Sequence, residues 1–334
     1  MNIYDVSKKA GVSIATVSRV LNGNNNVSEK TKARVLEVID ELGYTPNVFA
    51  RGLGLNTMKT IGIMCTDCSD PYLANAVYYL EQDLKRHEYD SILCCTGNNI
   101  DNKKNYLELL LSKRVDGIIL IGSKFLDADF SENNAFIIDA AKNIPIMLVN
   151  SYLEGNNIYS AQCDDEAAVY TVTDALIKSG RKNIVYLYTS MSQSGRNKLS
   201  GYEKALEMNR IPHRKEFVQM CNKDIQRAKE YLNTLHENGY KFDAVVTSDD
   251  SLAVGALKYA NEHGFKVPEE LSVVGYNDSI LAQATEPELT SIDSKVQSLC
   301  ITTVNTLMGV FNGSDVPTRT YITADIIKRN TTNF

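Results

Sequence analysis

At 334 residues, 43% of them hydrophobic, the chain is long enough for two or three compact units with real cores. No apolar run approaches the roughly 20 residues of a membrane span and no cleavable signal precedes the first predicted helix, so a membrane-embedded or exported protein is excluded and a cytoplasmic one is expected. The net charge of −6 is uneven: residues 1–56 carry seven Lys/Arg against five acids, giving +2 there and leaving −8 for the rest.

In chain order, Asn2 is a suitable cap for a short helix from Ile3 to Ala10, with Asp5 in its first turn. Gly11 permits a sharp turn, and Ser13 caps a second helix from Ile14 to about Asn22. Val17, Val20 and Leu21 form its buried stripe, so Ile14, Ala15, Ser18, Arg19 and Asn22 fall on the other face. Gly23 ends that helix and Ser28 caps a third. Val35, Leu36, Val38, Ile39 and Leu42 supply the apolar side of the third helix before Gly43 stops it. A plain three-helix bundle would need the stripe alone; cap, tight turn, stripe and polar face together predict a helix-turn-helix whose second helix enters the major groove of DNA.

On that geometry Arg19 is the residue for a forked hydrogen bond to a guanine edge, a contact worth about 1–3 kcal/mol of discrimination. Ile14 and Ala15 offer only apolar contact, for instance to a thymine methyl. Tyr4, Ser13, Thr16, Ser18 and Asn22 are suited to clamp phosphates and fix register. A charge of +2 is modest, so one head binds weakly and a dimer is expected.

The stretch from Tyr44 to Leu53 follows, too short to be a stable helix alone in water. Local sequence leaves two readings open: a flexible linker, or a helix that forms when docked and wedges Leu53 into a minor-groove step.

From Thr60 onward short apolar runs alternate with amphipathic stretches, the pattern of parallel α/β layers. Strands are predicted at 61–65, 91–95, 117–121 and 146–150, then at 184–188, 217–220, 244–247 and 272–275. Helices begin near Tyr72, Lys103, Ala167, Lys198, Asp224, Ser251 and Val296. Two series with a break near 151–160 imply two similarly built lobes, with the run after Thr290 crossing back to complete the first. The seven cysteines are an odd number, which fits a reducing compartment. Cys65 and Cys68 have C-x-x-C spacing with Cys94-Cys95 further on, yet Cys65 ends an apolar strand where Ile or Val would serve. No second C-x-x-C or His pair completes a zinc set, so structural cysteines are expected, with redox sensing the minority reading.

The segments Ile3-Tyr4-Asp5-Val6, Ala10-Gly11-Val12-Ser13 and Thr16-Val17-Ser18-Arg19-Val20-Leu21-Asn22 resemble the head of LacI/GalR-family regulators, as do Val27-Ser28, Leu42-Gly43-Tyr44 and Pro46-Asn47…Ala50-Arg51…Leu53. The resemblance implies that Asn47, Ala50 and Leu53 belong to a hinge helix, with Leu53 the wedge. It continues through Asp67-Cys68-Ser69-Asp70-Pro71-Tyr72, Val115-Asp116-Gly117, Gly201-Tyr202, Asp250-Ser251-Leu252 and Ser272-Val273-Val274-Gly275-Tyr276. That stretch is similar to the family's effector-binding core, which is built like periplasmic sugar-binding proteins. The implied fold class is therefore α/β: an all-α helix-turn-helix head on a two-lobed core of parallel sheets. The expected division is 1–46 for the head, 47–58 for the hinge and 59–334 for the core. Lobe 1 is expected at about 59–158 plus 291–320, and lobe 2 at about 159–290 plus 321–334.

A ligand of such sheets sits beyond the carboxyl ends of the strands, here in the cleft between lobes. Those ends carry Asp70, Tyr72, Ser123, Asn150, Asp249 and Asn277, each of which could instead only cap a helix or shape a turn. The resemblance adds Lys198, where the family often has Arg, with Arg196 close by; Asn150 and Asn277 stand where it often has Asp. A pocket with fewer acids and a retained cation suggests a sugar, phosphorylated or otherwise acidic in one version. The resemblance implies a repressor that binds a palindromic operator in double-stranded DNA as a homodimer under control of a small effector, with no cofactor. Two variants stand beside it: a purine-responsive repressor, and a catabolite-control-type regulator with a protein corepressor, whose late helix would need a basic face but offers only Lys295. An enzyme is not expected: there is no Walker loop, H-E-x-x-H or nucleophile elbow. The lack of leucine heptads near Phe334 suggests a dimer rather than a tetramer.

Overall fold

The computed structural model describes residues 1–21, 26–44, 57–129 and 131–334. The expectations for Asn22, Asn47, Ala50 and Leu53 lie outside the described residues. The chain divides into two compact units, one of residues 1–60 with 113–116 and one of the remainder.

In the first unit α1 (Ile3–Ala10), α2 (Ile14–Leu21) and α3 (Glu29–Leu42) form where the caps direct them. The Asn2 side chain accepts the N–H groups of Tyr4 and Asp5, while Asp5 reaches back 2.8 Å to the Asn2 N–H. Orphan donors at the helix start are thus satisfied reciprocally. Gly11 and Gly43 end α1 and α3 with φ of 65° and 55°, a conformation that side chains with a Cβ resist. Val6, Ala10, Val17, Val20, Val35 and Val38 make the core of this unit. Leu36 does not join it: one position past Val35 it points outward and is 47% exposed, against the expectation that it lies on the apolar side.

The second unit contains two sheets of the same design. The first is built from β1 (Thr60–Cys65), β2 (Asp90–Cys95), β3 (Gly117–Ile121), β4 (Ile146–Val149), β5 (Ile158–Cys163) and β11 (Arg319–Ile322), in the order β2-β1-β3-β4-β5-β11. The second is built from β6 (Ile184–Tyr188), β7 (Val218–Met220), β8 (Ala244–Thr247), β9 (Ser272–Tyr276), β10 (Thr290–Asp293) and β12 (Asp325–Ile327), in the order β7-β6-β8-β9-β10-β12. Position by position the two orders are equivalent, except that β11 joins β5 parallel and β12 joins β10 antiparallel. The helices are α4 (Pro71–Arg86), α5 (Ile100–Ser112), α6 (Ala135–Ala141), α7 (Asp165–Lys178), α8 (Gln193–Met208), α9 (Ile225–Glu237), α10 (Asp250–His263), α11 (Ile280–Ala284) and α12 (Val296–Phe311). All five residues of β3 are buried, as expected of a strand covered on both faces.

The lobe boundaries differ from those expected. β5 pairs with β4 and β11, so the first lobe runs on to Cys163. β10 pairs with β9, so the crossing back comes after Asp293 rather than at 291. α12 does return to the first lobe, where Leu299, Cys300, Val304 and Leu307 pack with Ile61, Leu80 and Ile119. The chain thus passes between lobes after β5, after β10 and after β11. Local periodicity missed β5, β10, β11 and β12 because their sequences mix polar with apolar residues: the partly exposed edge strand β11 reads Arg-Thr-Tyr-Ile. No helix among the described residues is long and apolar enough to cross a membrane.

Candidate functional site

In the head, burial of Val17 and Val20 turns the rest of α2 outward. Ile14, Ala15 and Arg19 are exposed, Thr16 and Ser18 are half-buried, and Tyr4 on α1 is 67% exposed. Ser13 accepts the Thr16 N–H at 3.2 Å, and the two hydroxyls lie 2.9 Å apart. They therefore cap the helix as well as presenting oxygens outward. Two other cations of this unit are engaged locally: Lys9 pairs with Glu41 at 2.7 Å, and Arg34 donates to the Gly11 carbonyl at 3.5 Å. Arg19 makes no ion pair among the described residues, which leaves its fork available.

In the core, the two equivalent switch points lie at β1/β3 and β6/β8, and loops leaving these strands meet at a cleft of about 260 Å³. Asp70, Tyr72, Ser123, Asn150, Lys198, Asp249 and Asn277 all line it. Arg196 does not. It precedes Lys198 by two positions on α8, and residues so spaced point to different sides of a helix. Arg196 instead pairs with Asp129 and donates to the Met191 carbonyl at 3.0 Å.

Asp70 and Asp249 each do two things. One oxygen of Asp70 caps α4, accepting from Tyr72 N–H at 2.9 Å; one oxygen of Asp249 caps α10, accepting from Ser251 N–H at 3.0 Å. The second oxygens face Lys223, whose Nζ lies 2.7 Å from Asp70 and 3.0 Å from Asp249. This bridge joins the lobes. Burial pushes the Lys223 ammonium towards neutrality, but the Asp249 and Asp70 carboxylates more than offset that, and its pKa is raised. The bridge therefore holds below the usual lysine range and is lost only as pH rises through the raised value. Ser123 and Ser192, 2.9 Å apart, and Tyr152, whose N–H donates to Gln193 Oε1 at 2.8 Å, add further contacts between lobes.

Lys223 and Asn222 were missed in the sequence, although a signal was there. They follow the strand ending at Met220, and the rule that reached Asp249 and Asn277 applies to that strand equally. Asn150, Asn222, Lys223 and Asn277 all have positive φ, at 57°, 50°, 61° and 96°. Such backbone favours Asn among residues with a Cβ, so the amides at 150 and 277 have a conformational reason. Asn277 also donates its amide to Asp249 at 3.1 Å, where a carboxylate would repel.

Lys198 is buried, its Nζ 3.5 Å from the centre of the Tyr276 ring and 3.3 Å from the Ser248 carbonyl. Beneath it Asp165 accepts the Tyr276 hydroxyl. Burial lowers the Lys198 pKa and raises that of Asp165, while their mutual attraction opposes both shifts. The Tyr72 hydroxyl is buried and has no hydrogen-bond partner among the described residues. A buried hydroxyl left so is destabilising unless something supplies a partner.

Comparison with known proteins agrees along the chain. A family model for bacterial regulatory proteins of the lacI family matches residues 2–47, and one for periplasmic binding proteins and the sugar binding domain of the LacI family matches residues 58–330. An HTH-type transcriptional regulator of Lachnoclostridium phytofermentans is 57% identical over 334 residues, 100% of both chains. Catabolite control protein A of Priestia megaterium is 32% identical over 294 residues, 87% of each chain. A lac repressor dimer bound to operator and the anti-inducer ONPF is similar in structure, with a TM-score of 0.89 at 25% identity over 99% of this chain and 98% of that one.

Proposed function

Because this chain belongs to the LacI family of transcriptional regulators, we propose that it is a repressor that binds a palindromic operator as a homodimer and is controlled by a neutral sugar in the interlobe cleft. The family and the relatives are regulators, not enzymes. The DNA part of the reading is supported by the exposed Arg19, without an ion pair among the described residues, on a helix whose other face is core. The expected hinge, with Asn47, Ala50 and Leu53, stands beside it as a proposal from the sequence, as do the domain limits 1–46, 47–58 and 59–334. The dimer is supported by the dimeric state of the similar lac repressor, and by two-fold operators requiring two heads.

The observation that carries the ligand reading is a cleft lined by hydroxyls, amides and paired charges, with Tyr72, whose buried hydroxyl has no partner among the described residues, in its wall. The sequence suggested an acidic ligand because a cation was retained. However, Lys223 faces two carboxylates and buried Lys198 lies over the Tyr276 ring with Asp165 attracting it, so neither offers charge in excess. A polyol can donate to the carboxylates and accept from Tyr72 without bringing a charge of its own. Sugars contacting both lobes favour one lobe arrangement and so change operator affinity. The protein-corepressor alternative gains no support, since Lys295 is held by Asp293 at 2.9 Å and Asp325 at 2.6 Å.

Two measurements test these parts separately. In a thermal-shift screen, neutral mono- and disaccharides are expected to raise Tm, by about 2.7 kcal/mol of stability at a hundredfold excess over Kd. Sugar phosphates binding more tightly than their neutral parents would refute the neutral-ligand reading. For DNA, Arg19→Ala is expected to weaken footprinting of the palindrome by about 1–3 kcal/mol per head while barely changing binding to random duplex. Equal loss on both would remove Arg19 from base reading.

A further inference from the structure

Three cysteines that the proposed regulation does not use come together beside the cleft. Cys65 ends β1, Cys68 lies in the loop that follows, and Cys95 ends the neighbouring strand β2. Their sulfurs all lie within 4.8 Å of one another, and those of Cys65 and Cys68 are 3.4 Å apart. Strand alternation separates Cys95 from Cys94: Cys94 is buried, while Cys95 reaches solvent. Spacing alone sets Cys94-Cys95 beside the C-x-x-C pair without saying which of the two meets it; Cys95 lies 27 residues beyond Cys68 and arrives only through strand pairing.

We propose that Cys65, Cys68 and Cys95 form a three-thiolate site for a soft metal ion of the Zn²⁺ or Cu⁺ class. A metal–sulfur distance of about 2.3 Å requires sulfurs roughly 3.8–4.0 Å apart, and the observed spacing brackets that value. Thiolates select such ions over hard cations such as Mg²⁺ or Ca²⁺. The Cys68 N–H already donates to Cys95 Sγ at 3.3 Å, the kind of outer contact that holds a thiolate ligand. Exposure of Cys95 gives an entry path, and three protein ligands leave a fourth position for water. Binding replaces the three thiol protons by one metal cation and releases those protons to solvent. Thr66 and Asp67, between two of the ligands, line the cleft, and Asp70 follows shortly after. An ion here fixes the loop that carries Asp70 to Lys223.

The test is titration of the reduced full-length protein with Zn²⁺, followed by chelator competition, proton release and the sulfur-to-metal absorption of a Co²⁺ substitute. One equivalent of Zn²⁺ is expected, with about three protons released and a Co²⁺–thiolate band. Cys95→Ser should weaken Zn²⁺ by more than about 100-fold, beyond the loss of an outer-shell partner, whereas Cys94→Ser should not. The proton count and the Co²⁺ band are read on the unmodified chain, so the outcome stands even if a variant folds poorly. Equal Zn²⁺ affinity with and without Cys95, or a Cys65–Cys68 disulfide forming in air while Zn²⁺ is ignored, would overturn the assignment.

Discussion

Lys198→Met is expected to destabilise the protein by about 1–3 kcal/mol, the cost of leaving a buried polar group without compensation, because it removes the buried cation that attracts the Asp165 carboxylate. Asp165 and Lys198 are both buried, at 2% and 7% exposure. Methionine fills the lysine's space but leaves the Asp165 carboxylate facing Tyr276 without a cation. At roughly 2–4 °C per kcal/mol the fall in Tm is at least about 2 °C. The double variant Lys198→Met with Asp165→Asn should recover most of it, because no uncompensated charge remains. The pH dependence has a definite sign. Burial raises the Asp165 pKa above its unfolded value, so ionised Asp165 weakens the fold, and protonation as pH falls through the folded pKa relieves that. The deficit of Lys198→Met should therefore shrink as pH is lowered. A deficit independent of pH and unaffected by Asp165→Asn would mean that lost packing, not charge, is responsible.

Gly201→Val should leave little folded protein. A Cβ at Gly201 would stand 2.3 Å from the Glu166 carbonyl oxygen and 3.0 Å from the Tyr170 nitrogen, both backbone atoms of α7. Backbone cannot rotate away as a side chain can, so α7 and α8 must separate. Gly201→Ala offers a graded version in which two effects of opposite sign compete. Alanine gains about 1 kcal/mol of helix propensity, whereas overpacking costs about 1–3 kcal/mol and more when a main chain is the obstacle. The clash is expected to win, lowering Tm by several degrees. Since α8 also carries Lys198 and Ser192, sugar binding should weaken together with stability. A rise in Tm on Gly201→Ala would show that the helices can part at no cost.

The surroundings of these residues separate what local sequence encodes from what it does not. The head was legible almost residue by residue, because caps, turns and a stripe of three- and four-residue spacing depend on neighbours in the chain: Asn2 with Asp5, Ser28, Gly43, Val17 with Val20. Strand ends were legible too, since apolar runs stop where the sheet stops, which is how Asp70, Ser123, Asn150, Asp249 and Asn277 were placed. Single-face errors came from orientation rather than existence. Leu36 and Arg196 belong to correctly placed helices but point away from the sides assigned to them.

Only the tertiary structure decided which strand ends meet. Asp70 follows β1 and Lys223 follows β7; they lie 153 residues apart and touch only because the loops leaving these strands meet at the cleft between two sheets of the same order. Cys95 reaches Cys65 and Cys68 for the same kind of reason, β2 being placed beside β1. Periodicity specifies that a strand is buried, not its neighbour. The amino-acid sequence determined a DNA-facing head, two lobes and the polar residues at their strand ends. Strand order brought those residues into one cleft, paired its charges and gathered three thiols at its edge.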